Sequence, residues 1–297
     1  MRILVTGGAG FIGGHLVVAL GKRGDDIYTI DLRARDHVDR VDIKDPKEVF
    51  CYLDKTKPEC VIHLAANCSV AKSVRDPAYD AQTNIQGTVN VLQAAAHHGA
   101  KQFIFASSGG TVYGNVSSGA ADELYPTNPQ SPYGLSKLAA EGYVRWYAEN
   151  MWLPATILRL ANVYGPRQDP NGESAVVATF MRTKQQGQPV QFYGGGLCER
   201  DYVYVDDVVD AFVRAVDTHG EASHGADVFN IGTGIATSTR RLAELIGVDG
   251  TDAPWRAGDV ARNVLDCARA KWALGWQPQV GLADGLDRTW AADFGNS

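Results

Sequence analysis

Tyr133 and Lys137 are the pair of residues in this sequence whose types and spacing could do chemistry. They are four residues apart, and on a helix this spacing places both side chains on one face, one turn apart. A phenol with an ordinary pKa of about 10 is a poor base at neutral pH, but a neighbouring ammonium favours the phenolate. Lowering that pKa by about three units takes roughly 4 kcal/mol. The alternative interpretation of so short a motif is a half-buried tyrosine beside a solvated lysine.

A glycine-rich turn near the N-terminus gives this pair a context. The apolar run Ile3–Val5 is followed by glycines at positions 7, 10 and 13, a GxxGxxG variant of the dinucleotide fingerprint. Gly7 permits a sharp turn from strand to helix, Gly10 lets backbone N–H groups approach a pyrophosphate, and Gly13 allows close helix packing. The helix predicted over residues 11–23 directs its positive end at the phosphates. The pattern predicts dinucleotide binding, with a purely structural tight turn as the alternative.

A second predicted strand, residues 26–30, ends at Asp31 and indicates which dinucleotide binds. An acidic residue at this place accepts hydrogen bonds from the ribose hydroxyls. It also repels a 2′-phosphate, so NAD is favoured over NADP, although Arg33 nearby is an opposing signal. Asp42 and Ile43 follow a short third strand and are predicted to lie near the adenine, an ordinary loop aspartate being the alternative.

Strands and helices alternate along the first half of the chain, which predicts a doubly wound parallel α/β sheet, the Rossmann fold. A helix is predicted over 46–55, a buried strand over 60–66, a long helix from Asn84, and a core strand over 103–108. The small residues that end the strand at 60–66 suit close passage of a cofactor along the carboxyl edge of the sheet. His63 is interpreted as a packed strand residue rather than a catalyst.

Hydroxyl groups follow at the same edge. Ser107 and Ser108 end a core strand, and an irregular turn is predicted over 109–114. The Tyr133 helix comes next, so a nucleotide turn, a hydroxyl-bearing strand end and a Tyr/Lys helix face occur in one order along one sheet. A bound NAD would add its cationic nicotinamide ring to the effect of Lys137 on the phenol.

The composition argues against several other classes of function. A net charge of −6 gives no general attraction to nucleic acid. No apolar run reaches the roughly 18 residues that a membrane span needs, and because a strand is predicted at the N-terminus, no signal peptide is expected. The five cysteines form no CxxC pair and are interpreted as reduced thiols of a cytoplasmic protein. His97 and His98 are interpreted as a polar helix end, so no metal is expected.

A series of ordered motifs runs through nearly the whole chain: TGGAGFIG at Thr6–Gly13, HLAA at His63–Ala66, NIQGT at Asn84–Thr88, SSGGTVYG at Ser107–Gly114, SPYGLSK at Ser131–Lys137, RLANVYGPRQ at Arg159–Gln168, RDYVYVDD at Arg200–Asp207, RAGDVARNVLD at Arg256–Asp266 and LGWQP at Leu274–Pro278. This set resembles the extended short-chain dehydrogenase/reductase family, and within it the NAD-dependent nucleotide-sugar epimerases and dehydratases. Agreement of so many motifs in one order is highly specific.

The resemblance implies roles for particular residues. It makes Tyr133 the acid/base and Lys137 its partner, which also holds the nicotinamide ribose. Around NAD it places Gly7, Gly10, Phe11, Ile12, Gly13, Asp31, Asp42, Ile43, Leu64, Ala65, Ala66, Asn84, Ser107, Tyr133 and Lys137. On the UDP-contacting positions it places Asn162, Arg200, Arg256 and Asp259. Two arginines suit a diphosphate because a guanidinium binds phosphate oxygens bidentately; the alternative for each is a surface salt bridge.

The sequence departs from the family at the catalytic hydroxyl. In many relatives the residue three before the valine of VYG is Ser or Thr, and here it is Gly109. Ser108 or Thr111 could supply the hydroxyl instead, and the sequence leaves this choice open. The 4,6-dehydratases carry an Asp-Glu pair directly before VYG, and the UDP-glucuronate decarboxylases carry a Glu there. Gly110 and Thr111 cannot act as general acid or base, so neither reaction is expected.

The second half is predicted to supply the nucleotide-sugar site. The domains are predicted as a Rossmann domain over 1–165, to which 200–235 returns in part, and a smaller C-terminal α/β substrate lobe over 166–297. A loop is predicted over 162–171, and a short strand carries Phe192, whose ring could flank a uracil. No linker separates the halves, so the ligand is expected in a cleft between them.

The activity implied by the resemblance is inversion of C4 of a UDP-hexose, UDP-glucose or UDP-galactose, through a transient 4-keto sugar. One alternative is an epimerase or reductase for another nucleotide sugar, such as UDP-glucuronate or a UDP-N-acetylhexosamine. Another is a non-catalytic NAD-sensing protein, against which Tyr133 and Lys137 argue and for which Gly109 argues weakly. The resemblance also favours a homodimer formed by the helices around 84–99 and 132–150.

Overall fold

The sequence folds into an α/β structure built on a seven-stranded sheet. The computed structural model describes residues 1–172, 175–218, 225–255 and 260–295. Its strands are β1 (Arg2–Thr6), β2 (Asp26–Asp31), β3 (Asp39–Arg40), β4 (Cys60–His63), β5 (Gln102–Ser107), β6 (Ala155–Leu160), β7 (Asn162–Tyr164), β8 (Val190–Tyr193), β9 (Glu199–Tyr204), β10 (Ala226–Ile231), β11 (Ala236–Ser238), β12 (Gly250–Ala253) and β13 (Arg262–Asn263).

Helices alternate with the strands along most of the chain. They are α1 (Phe11–Arg23), α2 (Pro46–Thr56), α3 (Val70–Arg75), α4 (Pro77–Ala81), α5 (Gly87–His97), α6 (Gly109–Val112), α7 (Pro132–Asn150), α8 (Val176–Gln185), α9 (Val205–Asp217), α10 (Thr239–Ile246), α11 (Ala268–Leu274) and α12 (Leu282–Asp293). A π-helical turn, Gln82–Gln86, joins α4 to α5, and a 3₁₀ turn, Gly194–Gly196, follows β8.

The chain divides into two compact units that interleave along the sequence. Unit 1 consists of Met1–Ser108, Pro132–Arg159 and Val209–Phe229, and unit 2 of Gly109–Ser131, Leu160–Val208 and Asn230–Ser297. Unit 2 therefore includes Gly109–Ser131, a segment that the sequence analysis assigns to the first domain.

The seven-stranded sheet confirms the doubly wound Rossmann fold predicted from the sequence. Its strand order is β10-β6-β5-β4-β1-β2-β3, and each pairing from β3 to β6 is parallel. The order β3-β2-β1-β4-β5-β6 is that of dinucleotide-binding sheets. Strands β4, β5 and β6 are buried along their whole length, as their near-continuous apolar sequences require in a sheet covered on both faces.

The helices of unit 1 bury one side and expose the other. Helix α1 has the predicted bounds, and α2 begins after Asp45, whose carboxylate accepts hydrogen bonds from the backbone N–H groups of Lys47 and Glu48. Helix α7, the Tyr133 helix, places Ala140 and Val144 in the core that the sheet forms with α2 and α5. This packing fixes the face of α7 that carries the Tyr/Lys pair.

Three predicted elements of the first half differ in the structure. The strand predicted over 60–66 ends at His63. Leu64 N still donates to the Thr6 carbonyl oxygen of β1 (3.1 Å), but Ala65 N donates to the Thr6 side chain, at Oγ1 (3.1 Å), instead of to a β1 carbonyl. The helix predicted from Asn84 begins earlier, with α4 running through the π-helical turn into α5. The irregular turn predicted over 109–114 opens with a helical turn, α6.

Unit 2 has its own sheets and core. Strand β9 pairs with β7, β11 and β13, and β12 pairs with β8. The loop predicted over 162–171 is therefore wrong in its first three residues, which form β7 because Asn162–Tyr164 align with Tyr202–Tyr204 of β9. The N-cap of α10 is Ser238, whose hydroxyl accepts a hydrogen bond from Arg241 N (3.1 Å).

Candidate active site

The glycine turn between β1 and α1 is built for close contacts. Gly7 has φ +76, and a Cβ there would lie 2.8 Å from Ala65 N. Gly7 N donates to Ile30 O (2.7 Å), and Gly10 N donates to Gly7 O (3.0 Å). A Cβ on Gly13 would collide with the Gly7 carbonyl oxygen. The predicted turn at Gly7 and the predicted close packing at Gly13 therefore each have a specific contact behind them, and the approach of a pyrophosphate to Gly10 stays a prediction.

The first turn of α1 suits a pyrophosphate. Its N-cap is Gly10, which has no side chain to cap the helix, and no acidic residue occupies the first turn. Backbone N–H groups at a helix N-terminus, with the positive end of the helix dipole, form an anion site. Phe11 and Ile12, predicted to contact NAD, lie in this turn and are partly exposed.

Replacing Gly13 with Ala is expected to lower NAD affinity at least tenfold, because the added methyl group pushes α1 away from the Gly7 carbonyl. Gly142→Ala is the matched control, since a Cβ on this exposed glycine of α7 meets nothing within 4 Å. NAD content of the purified proteins, measured after acid release, checks the prediction. Equal NAD content in both variants would contradict it.

The adenosine end of the predicted site lies beyond β2. Asp31 ends this strand, and its Oδ1 accepts a hydrogen bond from Arg33 N (3.1 Å), so the carboxylate is held at the sheet edge. Asp42 Oδ1 accepts from Lys44 N (2.9 Å). Ile43 is buried, and its carbonyl accepts from Asn90 Nδ2 (2.8 Å). The structure thus anchors each of these residues, and their contacts with NAD stay predictions.

The interpretation of His63 as a packed residue is confirmed by its burial. Its Nδ1 lies 2.7 Å from Thr6 Oγ1 and its Nε2 lies 3.0 Å from Thr88 Oγ1. Burial, followed by the charge of Lys137, lowers the pKa of His63 to about 3. The ring is therefore neutral at pH 7, and it ties β4 to β1 and α5.

Tyr133 lies at the start of α7 with its side chain almost entirely buried. Its backbone N–H donates to Ser73 Oγ (3.0 Å), which fixes the first turn of the helix, and its phenol is hydrogen-bonded to Ser108. Of the two hydroxyls that the sequence offers in place of Gly109, Ser108 is the one in contact with Tyr133 within unit 1. Thr111 lies in the helical turn α6 of unit 2.

Burial opposes the electrostatic effect that the spacing of Tyr133 and Lys137 predicts. Burial has the largest influence on the pKa of Tyr133 and raises it well above its ordinary value. Cys68 and Asp80 raise this pKa further, and the hydrogen bond with Ser108 lowers it. The phenol is therefore protonated at neutral pH in the chain as it stands. The phenolate needs more cationic charge than the protein alone places beside it.

Lys137 is held one turn after Tyr133. It is 4% exposed, its Nζ donates to Ala106 O (2.9 Å), and the same nitrogen lies 4.8 Å from the centre of the Phe105 ring. Burial lowers the pKa of Lys137, while Cys68, Asp80 and Glu141 raise it. The ammonium is thus fixed against β5, the strand that ends beside Tyr133.

Sequence reasoning missed a buried ion pair behind this site. Ser107 and Arg159 are register partners on β5 and β6, so both side chains face Glu141 of α7. Glu141 accepts from Ser107 Oγ (2.5 Å), from Arg159 Nε (2.9 Å) and from Arg159 Nη2 (2.6 Å). The available signal was the position of Glu141, one helical turn after Lys137. Ser107, predicted to contact NAD, is 3% exposed and bonds to this carboxylate.

The side chain of Asn84 also makes its hydrogen bonds within the protein. It is 1% exposed; its Oδ1 accepts from Asn67 N (2.8 Å), and its Nδ2 donates to Asn67 O (3.1 Å) and Ser136 Oγ (3.0 Å). It therefore joins the loop after β4, which carries Leu64, Ala65 and Ala66, to the Tyr133 helix. The structure gives Asn84 this positioning role, and its predicted contact with NAD stays a prediction.

The predicted UDP-contacting residues that the structure describes belong to unit 2. Asn162 Nδ2 donates to Asp201 O (3.3 Å), and Arg200 Nη1 donates to Glu199 O (2.9 Å), so both lie along β7 and β9. Phe192 is 4% exposed and packs in the core against Phe180, so its role beside a uracil stays a prediction. Arg256 and Asp259 lie outside the described residues.

Asp201 is a second residue that sequence reasoning missed. It is fully buried, and its carboxylate accepts hydrogen bonds from Thr233 N (2.8 Å), Thr233 Oγ1 (2.6 Å) and Gly234 N (3.0 Å). Burial raises the pKa of Asp201, and these bonds oppose the rise. The residue anchors the strand that carries Arg200, and the Arg-Asp pair at positions 200 and 201 was the signal for it.

Two further observations bear on the kind of site. Over the residues described, no set of three or more His, Cys, Asp or Glu side chains is arranged to hold a metal ion. Within the same ranges, no helix combines the length and the hydropathy that a bilayer span requires.

Comparison with known proteins decides the family. A profile of the NAD dependent epimerase/dehydratase family matches residues 3–232. The chain belongs to this family. Membership confirms the resemblance inferred from the motifs, and with it NAD as the cofactor. The glycine turn and the uncapped first turn of α1 fit this cofactor.

Individual family members are similar over their whole length. The UDP-glucose 4-epimerase of Mycolicibacterium smegmatis is 43% identical over 309 residues, which covers 97% of each chain. The crystal structure of UDP-glucose 4-epimerase from Thermotoga maritima with UDP-glucose is 42% identical, with a TM-score of 0.93 over 98% of each chain. That of the UDP-glucose 4-epimerase from Thermus thermophilus with NAD is 39% identical, with a TM-score of 0.91 over 100% of each chain.

Proposed function

We propose that this protein is an NAD-dependent epimerase that inverts C4 of a UDP-hexose, interconverting UDP-glucose and UDP-galactose. The observation that carries the proposal is the buried phenol of Tyr133, hydrogen-bonded to Ser108 and followed one turn later by Lys137. The substrate class follows from the relatives, since UDP-glucose 4-epimerases match this chain over nearly all of its length.

The chain supplies proton transfer and positioning. When bound, NAD supplies the redox chemistry, accepting the C4 hydrogen as a hydride and giving it back. Tyr133, as the phenolate, takes the proton of the 4-hydroxyl, and Ser108 orients that hydroxyl. The 4-keto sugar rotates within the site, and Tyr133 returns the proton to the 4-oxygen as the opposite face of C4 is reduced. Inversion at one carbon therefore needs one acid/base group that serves both faces.

Because the pKa of Tyr133 is raised, removal of the proton from the 4-hydroxyl depends on cationic charge nearby. Burial disfavours the phenolate, so Tyr133 is a base only when cationic charge lies beside it. Lys137, one helical turn away, would supply one such charge, and the nicotinamide ring of bound NAD would supply the other. The raised pKa therefore restricts proton removal to complexes in which a cation lies beside the phenol.

The UDP end of the substrate is assigned to Asn162, Arg200, Arg256 and Asp259. Guanidinium groups bind phosphate oxygens bidentately and would fix the diphosphate while the sugar stays free to turn. An inversion requires tight binding of UDP and loose binding of the hexose, because both epimers must fit the same site.

Ser108 is the hydroxyl that replaces the one missing at Gly109. Ser108→Ala is expected to lower kcat by about tenfold to a hundredfold, because it removes the hydrogen bond to the Tyr133 phenol. Thr111→Ala is the matched control and is expected to change kcat by less than about threefold. Steady-state rates with UDP-galactose check the pair. A larger loss in Thr111→Ala would assign the role to Thr111 instead.

A homodimer is the assembly that α7 supports. The outer face of this helix exposes Leu135 (59%), Tyr143 (45%) and Trp146 (51%). Large apolar side chains that are grouped on a surface usually mark an interface. These residues lie in the segment 132–150 that the sequence analysis assigns to the dimer. Light scattering at micromolar concentration gives the assembly directly, twice the chain mass being the expected value.

Incubation with UDP-galactose, without added NAD, tests the activity. We expect UDP-glucose to form, because the cofactor is regenerated in each turnover and a bound equivalent suffices. Absence of conversion in protein that contains NAD would contradict the proposal and favour an NAD-sensing role. Parallel incubation with UDP-glucuronate, UDP-N-acetylglucosamine and dTDP-glucose determines whether another nucleotide sugar is turned over faster.

A further inference from the structure

A buried carboxylate beside the Tyr/Lys pair has no part in the reaction described so far. Asp80 in α4 is 1% exposed. Its Oδ1 accepts hydrogen bonds from two neutral amides, Asn67 Nδ2 (2.7 Å) and Asn84 Nδ2 (3.1 Å). Among the residues that the structure describes, its Oδ2 has no hydrogen-bond partner. A carboxylate buried in this way is costly unless a cation lies near enough to compensate for it.

Lys137 is a cation in need of the same compensation. It is buried, and its two observed contacts, with the Ala106 carbonyl and the Phe105 ring, carry no net charge. Cys68, Asp80 and Glu141 are near enough to raise its pKa. Helix α4 packs against α7 within unit 1, and Asn84 Nδ2 donates both to Asp80 Oδ1 and to Ser136 Oγ, next to Lys137 in the chain.

Of these three groups, Asp80 is the anion still available. The carboxylate of Glu141 is engaged by the Arg159 guanidinium at 2.6 Å, so its charge is already balanced. A cysteine thiol has an ordinary pKa of about 8.5 and is mostly neutral at pH 7. Among the described parts of the chain, Asp80 accepts hydrogen bonds from two neutral amides and from no cation, so its charge is left to act on Lys137.

We propose that Asp80 is the buried counter-charge of Lys137, a positioning residue that keeps the lysine cationic beside Tyr133. The catalytic part of this inference rests on the function proposed above for Tyr133 and Lys137; the charge pairing itself does not. Asp80 acts through the lysine and touches neither substrate nor cofactor.

A hydrogen-bonded path connects the same carboxylate to the turn that carries Tyr133. Asn84 Nδ2 donates to Asp80 Oδ1 (3.1 Å) and to Ser136 Oγ (3.0 Å), and Ser136 Oγ donates to the Tyr133 carbonyl oxygen (3.0 Å). The π-helical turn directly after α4 carries Asn84, and such turns are frequent at functional sites. Asp80 therefore also orients the amide that links α4 to the Tyr133 helix.

A double-mutant cycle separates the charge from the hydrogen bonds. Asp80→Asn removes the charge and keeps an oxygen that can accept from both amides. With NAD in excess, we expect it to lower Tm by about 4 °C or more. In a Lys137→Met background, the same change should lower Tm by about 1 °C or less, or raise it, because no cation remains to be balanced. Any cost of the new amide is present in both backgrounds and cancels in the cycle.

Asp76→Asn is the control for this cycle. Asp76, the exposed N-cap of α4, accepts a hydrogen bond from Tyr79 N (3.0 Å), and Asp76→Asn should leave Tm nearly unchanged. An equal loss of Tm from Asp80→Asn in both Lys137 backgrounds would overturn the proposal and reduce Asp80 to a hydrogen-bond acceptor. If Asp80→Asn alone does not fold, recovery of folding when Lys137→Met is added supports the pairing. If the double variant does not fold either, the proposal is overturned. This cycle needs no turnover, so it stands apart from the assignment of the reaction.

The pH profile gives a second readout that a purely structural role would not move. Cys68, Asp80 and Glu141 influence the pKa of Lys137, and Lys137 in turn influences the pKa of His63. Cys68, Asp80 and Ser108 influence the pKa of Tyr133. Asp80 raises the pKa of both Lys137 and Tyr133, so its neutralisation lowers both.

Both limbs of the kcat profile of Asp80→Asn should therefore move to lower pH, by about half a unit or more. The basic limb moves because Lys137 loses its proton earlier, and the acidic limb moves because Tyr133 does. Asp76→Asn should keep the original profile. A lower kcat with both limbs unmoved, or a shift to higher pH, would contradict the role of Asp80.

Discussion

Tyr133→Phe is expected to lower kcat for UDP-galactose by about 10³-fold or more while leaving the affinity for UDP within about twofold. Proton transfer by a positioned side chain contributes about 10² to 10⁴ in rate, and phenylalanine cannot transfer a proton. The ring still fills its buried place at the start of α7, so the fold should persist. Steady-state kinetics and calorimetric titration with UDP measure the two quantities separately.

Tyr143→Phe is the control for this prediction. Tyr143 lies on the same helix, but it is 45% exposed and belongs to the outer face. Its variant should keep kcat within about twofold, provided that the assembly is unchanged. Retained turnover in Tyr133→Phe would refute the role of the phenol, whatever the outcome with the control.

Glu141→Gln is expected to reduce the free energy of unfolding by about 3–5 kcal/mol, because it leaves the buried guanidinium of Arg159 without its counter-charge. The double variant Glu141→Met with Arg159→Leu should recover much of this loss, since it removes both charges from the interior. Urea unfolding at pH 7 measures these differences, and equal stability of Glu141→Gln and the parent protein would contradict them.

Arg145→Gln provides the comparison on the same carboxylate. Arg145 Nη2 also lies 3.4 Å from Glu141, but its side chain is 43% exposed. Solvent screens such a pair, and its loss should cost less than about 1 kcal/mol. The contrast between Arg159 and Arg145 isolates burial as the cause of the expected effect.

Much of the dinucleotide half could be predicted from the sequence because its signals are local. The glycines of the β1–α1 turn, the bounds of α1 and the end of β2 at Asp31 each follow from a few neighbouring residues. The alternation of short apolar runs and helical patterns then predicts the parallel sheet, and the strand order confirms it.

The electrostatics of the site could not be predicted from spacing alone. The distance between Tyr133 and Lys137 along α7 predicts their common face, but the pKa of the phenol depends on what buries it. Burial arises from packing of α7 against β5, α3 and α4, segments that are remote in sequence. The pairing of Glu141 with Arg159 is invisible for the same reason, since it depends on the register of β5 and β6.

Turns whose geometry depends on tertiary contacts were also misjudged. The strand at Cys60–His63 stops early, where Ala65 N bonds to the side chain of Thr6 in β1, and no local signal marks this contact. The sequence predicts that a helix begins at Asn84, whereas Asn84 lies in a π-helical turn that directs its side chain to Asn67 and Ser136. Both features arise where elements meet, which is also where the predicted site lies.

The fate of the C4 hydrogen tests the central claim most directly. The protein is incubated with UDP-galactose in D₂O, and the UDP-glucose formed is examined by mass spectrometry and proton NMR. Oxidation and reduction at C4 move that hydrogen as a hydride, which does not exchange with solvent, so the product should carry no deuterium on carbon. Deuterium at C4 of the product would show that the carbon is inverted by proton removal instead, and would contradict the account.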